Sequence, residues 1–120
     1  GVELAGTLAE IARHSLEGEF RRVDPRRARV VLVEGGQRVL GTFDERSSES
    51  ARRQLERLGV EVRAGCKVQA IDAEGIDFTA PNGQAQRLAA RTVLWAAGVR
   101  ASPLGATLPA ALDRGGRVPV

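Results

Sequence analysis

An α/β fold, with a small parallel sheet flanked by helices and an antiparallel β-meander inserted ahead of the last parallel strand, is predicted by three features of this sequence. The stretch "RVVLVEGG" places four apolar, mostly β-branched residues in a row and stops them with a carboxylate and paired glycines. That is how a strand covered on both faces reads. Helix-like and strand-like stretches alternate up to Gly65, which is an α/β winding. From there apolar and polar residues alternate, cut by Glu74-Gly75 and by Pro81-Asn82-Gly83. Both cuts are turn chemistry, so residues 65–90 read as a meander.

The elements follow in order. In "GVELAGTLAEIAR" and the residues after it, Leu4, Leu8, Ile11 and Leu16 recur near the helical period, while Ala5, Gly6, Ala9 and Ala12 keep the turns slim. This helix is built for close packing. Asp24-Pro25, set among the arginines from Arg21 to Arg29, forces a turn and reads as a solvated loop. Thr42 and Ser47 both offer N-caps for a second helix, whose stripe is Ala51, Leu55 and Leu58 and whose end is Gly59. "VEVRAG" supplies a short strand, and "TVLWAAG" reads as a further parallel strand with Trp95 in the core. Residues 99–120 are loop-like, with one hairpin signal at Gly115-Gly116.

Composition narrows the functional classes. The chain carries 18 basic and 15 acidic residues, for a net charge of +3, and all the basic residues but Lys67 are arginines scattered among the acids. Aromatic residues make up 3%, too few for the stacking surface of a single-strand nucleic-acid reader, so no nucleic-acid partner is expected. A single cysteine, Cys66, excludes an internal disulfide, CxxC redox chemistry and a thiolate metal cluster, and reads as a buried strand thiol. No metal site is expected. No apolar run reaches the length of a membrane span. His14, two turns into the first helix, reads as a surface residue.

Three places carry binding chemistry. Gly1 fits the third glycine of a GxGxxG turn, where absence of a side chain lets the helix sit against the preceding strand and turn its amino end to a pyrophosphate. The unpaired N–H groups of that first turn and the macrodipole favour a phosphate oxygen there. Glu34 ends the next strand, where a carboxylate accepts hydrogen bonds from both ribose hydroxyls and repels a 2′-phosphate. NAD rather than NADP follows, weakened by the nearness of Arg38. The glycine-to-acid spacing exceeds the usual twenty or so residues because "RHSLEGEFRRVDPRRA" intervenes. Ala96, Ala97 and Gly98 close a strand with side chains small enough for a flat ring to lie on the backbone. Each place also has a plainer reading: a chain start, a solvated strand-end acid, and small residues at a crowded junction.

Taken together, "GVELAGTLAEIARHSL", "EFRRVDP", "ARVVLVEGG", "ARRQLERLGVEVRAG" and "RTVLWAAGVRASPLG" resemble the NADH-binding domain of type II NADH dehydrogenases, FAD-dependent NADH:quinone oxidoreductases of the pyridine nucleotide-disulfide oxidoreductase superfamily. The resemblance runs through nearly the whole chain. It implies a Rossmann-like parallel sheet with its first strand missing and the meander inserted, so that 1–120 form a fragment of an NADH-binding domain whose tail, 99–120, leads back toward an FAD domain. It implies NADH held by Gly1, Val2, Glu34, Ala97 and Gly98, with Glu3 near the reacting rings as the catalytic carboxylate. FAD would be bound mainly by segments outside this chain. A parent enzyme in the cytoplasm, peripheral at the inner face of the plasma membrane, is implied as well. The isolated chain is then expected to lack NADH:quinone activity, and its unpaired strand edges to destabilise it or draw it into self-association. Two alternatives stay open: the NAD-binding domain of another two-dinucleotide flavoprotein reductase, and a noncatalytic dinucleotide-sensing module.

Overall fold

The computed structural model describes residues 1–98, 101–107, 111–113 and 115–118. Helix α1 (Val2–Glu10) opens on Gly1 as its N-cap, and the Ala5 N–H donates to Gly1 O at 3.0 Å. It packs through its small residues: Ala5, Gly6 and Ala9 are buried, whereas Leu4 and Ile11 of the expected apolar stripe are exposed. The cause is close approach to the second helix. A Cβ on Gly6 would lie 3.6 Å from Leu58 Cδ1 and 3.7 Å from Leu55 Cδ2, so that interface has no room for a leucine. The chain continues into a π-helical turn, Ile11–Ser15, and Arg13 reaches across to donate to Gly59 O. His14 is exposed. The arginine-rich loop is solvated as expected, with Asp24 capping a 3₁₀ turn (Pro25–Arg27) by accepting from the Arg26 N–H at 3.0 Å.

Strand β1 (Val30–Val33) pairs in parallel with β2 (Val60–Arg63), and helix α2 (Glu45–Arg57) makes the crossover between them. The cap of α2 is Asp44 rather than Thr42 or Ser47. Its Oδ1 accepts from the Ser47 N–H at 2.9 Å, so Ser47 is the recipient of the cap, and a carboxylate adds attraction to the helix dipole. Hydrogen bonding with Ser47 accordingly holds the Asp44 carboxyl below the usual carboxylate range. Leu55 is buried, Leu58 is half-buried, and Gly59 at φ +81° ends the helix.

Strands β3 (Lys67–Asp72), β4 (Gly75–Thr79) and β5 (Ala85–Ala89) form the meander, an antiparallel sheet in the order β3-β4-β5. Its first turn is closed by Asp72, which accepts from the Glu74 and Gly75 amides at 2.8 and 3.0 Å. Gly83, at φ +80°, closes the second by donating its N–H to Ala80 O at 2.9 Å. The two sheets meet at β1. Leu32 packs beneath the helices with Ala5, Ala9, Leu55 and Val60, while Val33 packs with Cys66, Ile76 and Phe78 of the meander side. The thiol of Cys66 is buried there.

The strand expected from "TVLWAAG" does not form: residues 91–98 carry no strand pairing, and Trp95, expected in the core, is 63% exposed. The physical reason is that a parallel strand needs a ladder partner, and among the described residues β1 is paired only on its β2 side. The segment is tied to the fold by Val93, which packs on the Cys66 cluster. Of the tail, residues 99–100, 108–110, 114 and 119–120 lie outside the described residues. At the hairpin signal, Asp113 N–H donates to Arg117 O at 2.8 Å and Gly116 turns at φ +77°. The radius of gyration is 17.7 Å, against about 14 Å for a compact chain of this length.

One acid-sensitive element stands out. Asp72 receives both the turn amides and a two-pronged contact from Arg87 Nη2, at 2.7 and 2.8 Å, while Arg87 Nη1 donates to Asp77 at 3.0 Å. Hydrogen bonding from Arg87, then the Glu74 amide, lowers the Asp72 carboxyl to about 2. A carboxyl lowered by folding stabilises above its unfolded value and loses that contribution as pH falls through the folded one. The meander is therefore expected to weaken between about pH 4 and pH 2, by a modest, salt-screened amount because both side chains are half-exposed. Urea midpoints measured against pH check this, and in Asp72→Asn the slope across that window should flatten.

Candidate functional site

The site is built where α1 begins. Gly1 stands so close to its neighbours that a Cβ there would touch Leu32 Cδ1 at 3.7 Å and Ala96 Cβ at 4.0 Å. A larger side chain would have to push its outer atoms into one of them. The N–H groups of Val2, Glu3 and Leu4 precede the first intrahelical hydrogen bond, and no side chain caps the helix. Those donors and the dipole make this end electropositive. Val2 is half-buried against the helical core, so what it can offer a ligand is its amide; Glu3 is exposed in the same turn.

Glu34 follows β1 directly and stands two residues beyond Leu32, about 7 Å along an extended chain. Its backbone is held on both sides: the N–H donates to Arg63 O at 2.9 Å and the carbonyl accepts from Cys66 N–H at 3.0 Å. Its side chain is oriented too, because Oε1 accepts from the Gly36 N–H at 2.7 Å. Arg38, the residue that could attract a 2′-phosphate, donates instead to the carbonyls of Phe43 and Gly41 at 2.9 and 3.3 Å.

Ala97 and Gly98 continue from Ala96 and are exposed. Gly98 has φ +80° and nothing within 4 Å of the place a Cβ would occupy, so backbone here faces open space. The amino end of α1, β1 at Leu32 and the chain at Ala96 thus come together around Gly1. The small-residue pattern at Gly1 and 96–98 pointed toward this meeting. Leu32 and Gly36 were missed: one is masked inside a uniform apolar run, and the other acts through a backbone amide that no residue type announces.

Away from this site a hollow lies on the outer face of α2, lined by Arg46, Glu49, Ser50, Arg53, Glu56 and Arg57. Its acids are held by arginines of the same helix, with Arg52 and Arg53 both on Glu49 and Arg52 also on Glu56. Hydrogen bonds from Arg52 and Arg53 lower the Glu49 carboxyl to about 2, which marks an intrahelical ion-pair array rather than a reactive group. Among the described residues, no helix is long and apolar enough to cross a membrane.

The chain is similar to the type II NADH:quinone oxidoreductase Ndh of Mycobacterium tuberculosis, 40% identical over 124 aligned residues that cover 100% of this chain and 27% of that protein. It is 38% identical to the type II NADH:quinone oxidoreductase NdhA of the same organism, covering 98% of this chain and 26% of that one. The chain therefore spans about a quarter of the length of these curated relatives. Its fold matches that of NDH2 from Plasmodium falciparum, solved in complex with NADH, with a TM-score of 0.76 over 90% of this chain and 23% of that one at 18% identity. The family model for pyridine nucleotide-disulphide oxidoreductases matches residues 1–120, and the chain belongs to that family.

Proposed function

We propose that this chain is the NADH-binding part of a flavoprotein NADH dehydrogenase that passes hydride from NADH to FAD and on to a quinone. The observation that carries this reading is the meeting of Gly1, Leu32 and Ala96, which brings the uncapped amino end of α1 to β1, two residues before an oriented carboxylate, and to the first of a strip of small residues. Identity of 40% and 38%, over nearly the whole of this chain, to two NADH:quinone oxidoreductases supports the acceptor. NADH supplies the hydride and FAD receives it; the chain's own residues bind and orient.

The amides of Val2 and its neighbours in the first turn of α1 receive the pyrophosphate oxygens, and Gly1 keeps that approach clear. Glu34 accepts from the adenosine ribose hydroxyls. With Arg38 engaged by two carbonyls, a 2′-phosphate would meet the Glu34 carboxylate without a compensating cation, which favours NADH over NADPH. Ala97 and Gly98 give the nicotinamide a flat seat. Glu3, on the exposed side of the helix end, is assigned to the ring side, where its carboxylate orients the reduced ring or relays a proton. FAD contacts are assigned to segments outside these residues, as are peripheral attachment to the membrane and the FAD domain toward which the tail, 99–120, leads back. The unpaired edge of β1 is assigned to a further strand, supplied by the parent protein or by association of this chain with itself.

The test is an assay of the purified full-length protein. Quinone-dependent NADH oxidation, retained FAD and slow oxidation of NADPH are expected, with no turnover from the 120-residue chain alone even when FAD is added. Turnover of NADH with a disulfide acceptor in place of quinone would instead favour another reductase of the same family, and NADH binding without FAD or turnover would favour a sensing module.

A further inference from the structure

The carboxylate of Glu34 is set by a relay of backbone amides that reaches into the meander. Past the ends of β1 and β2 the pairing continues, with Gly65 N–H donating to Gly36 O at 2.7 Å. That bond anchors Gly36 at its carbonyl, and at its other side the Gly36 N–H donates to Glu34 Oε1 at 2.7 Å. Gly65 in turn is wedged: it sits at φ +69°, and the place of its Cβ is 3.1 Å from Pro81 Cγ and 3.5 Å from Gln37 Oε1. Pro81 belongs to the second meander turn. The meander turn thus touches Gly65, Gly65 holds Gly36, and Gly36 holds the acid.

A hydrogen bond to one carboxylate oxygen does more than occupy it. It selects one orientation of a flexible side chain, so the other oxygen is presented before a ligand arrives and the ordering cost of binding is reduced. Gly36 has no φ in the left-handed region, so an alanine is not barred by backbone strain. What an added Cβ would meet is Glu34 Oε1 at 3.1 Å, followed by Arg38 O at 3.6 Å. A methyl group there must move the carboxylate, and little else.

We infer that Gly36 is a positioning residue for nucleotide selectivity: its amide, anchored by Gly65, holds Glu34 so that the second carboxylate oxygen faces the ribose diol. This rests on the assignment of Glu34 to the ribose, and the experiment separates the two. Calorimetric titration of the full-length protein with NADH and with NADPH is run on the wild type, Gly36→Ala, Glu34→Ala and the double variant, with melting temperatures alongside.

In Gly36→Ala, NADH affinity is expected to fall about tenfold, with NADPH affinity and melting temperature held. In the Glu34→Ala background the same substitution should change neither affinity, because its effect travels through the carboxylate. The inference is overturned if Gly36→Ala keeps the wild-type NADH to NADPH ratio while Glu34→Ala lowers it, if Gly36→Ala acts equally with and without the carboxylate, or if it fails to fold. Should Glu34→Ala itself leave the ratio untouched, the ribose assignment falls and takes this inference with it.

Discussion

Gly75→Ala is expected to destabilise the protein by about 4 kcal/mol, combining backbone strain with overpacking. Gly75 begins β4 at φ +155°, directly opposite Ala89 in the ladder. A Cβ there would fall 2.2 Å from Leu88 O and 3.0 Å from Ala89 Cα. Both obstacles are backbone atoms of a paired strand, so neither can swing aside as a side chain would. Relief requires parting β4 from β5, which would expose Phe78 and Ile76, the buried centre of the meander. Gly83→Ala is the control: that residue too has a positive φ, +80°, but its Cβ would meet nothing within 4 Å. Strain alone should cost about 1 kcal/mol there. Denaturant midpoints at constant slope compare the two, and equal losses would contradict the steric origin of the Gly75 effect.

Ala96→Leu is expected to weaken NADH binding on the order of 100-fold while leaving most of the stability in place. The Ala96 Cβ lies 4.0 Å from the position a Cβ would take on Gly1. A leucine at that point extends its branch against the amino end of α1, where the pyrophosphate is assigned. Because Ala96 is exposed and its segment is unpaired, the fold loses little by the change. Titration with NADH alongside a melting curve checks both halves, and unaltered affinity in a normally folded variant would remove the 96–98 segment from the site.

How far the sequence foretold this arrangement depends on the kind of interaction each residue makes. Turns and the end of α2 were legible because their chemistry is local: Pro81-Asn82-Gly83 and Glu74-Gly75 turn where their residues demand it, and Gly59 ends the helix. The β1 run was legible because strand faces packed on both sides must be apolar throughout. The packing face of α1 was not, since helical periodicity marks large residues, whereas the close approach of Leu55 and Leu58 selects the small ones, Ala5, Gly6 and Ala9. Residues 92–96 read as a strand because composition reports the tendency to pair and is silent on whether a partner is adjacent. Asp44 was passed over as a cap in favour of hydroxyl residues on either side of it, one of which proved to donate to it.

The candidate site divides along the same line. Gly1, Glu34 and the 96–98 strip could be named from residue type, because the chemistry they offer lies in a missing side chain, a charge and small size. What orients them could not. The Gly36 and Gly65 amides act through backbone geometry that only the folded β1–β2 junction creates, and Leu32 becomes a wall of the site only when α1 is laid against β1.

A crystal structure of the full-length protein grown with NADH addresses the central claim most directly. The pyrophosphate is expected against the amides of Val2 to Leu4, the adenosine ribose on Glu34 and the nicotinamide over Ala97 and Gly98. A nucleotide seated instead on the outer face of α2, or bound with its ribose away from Glu34, would contradict it.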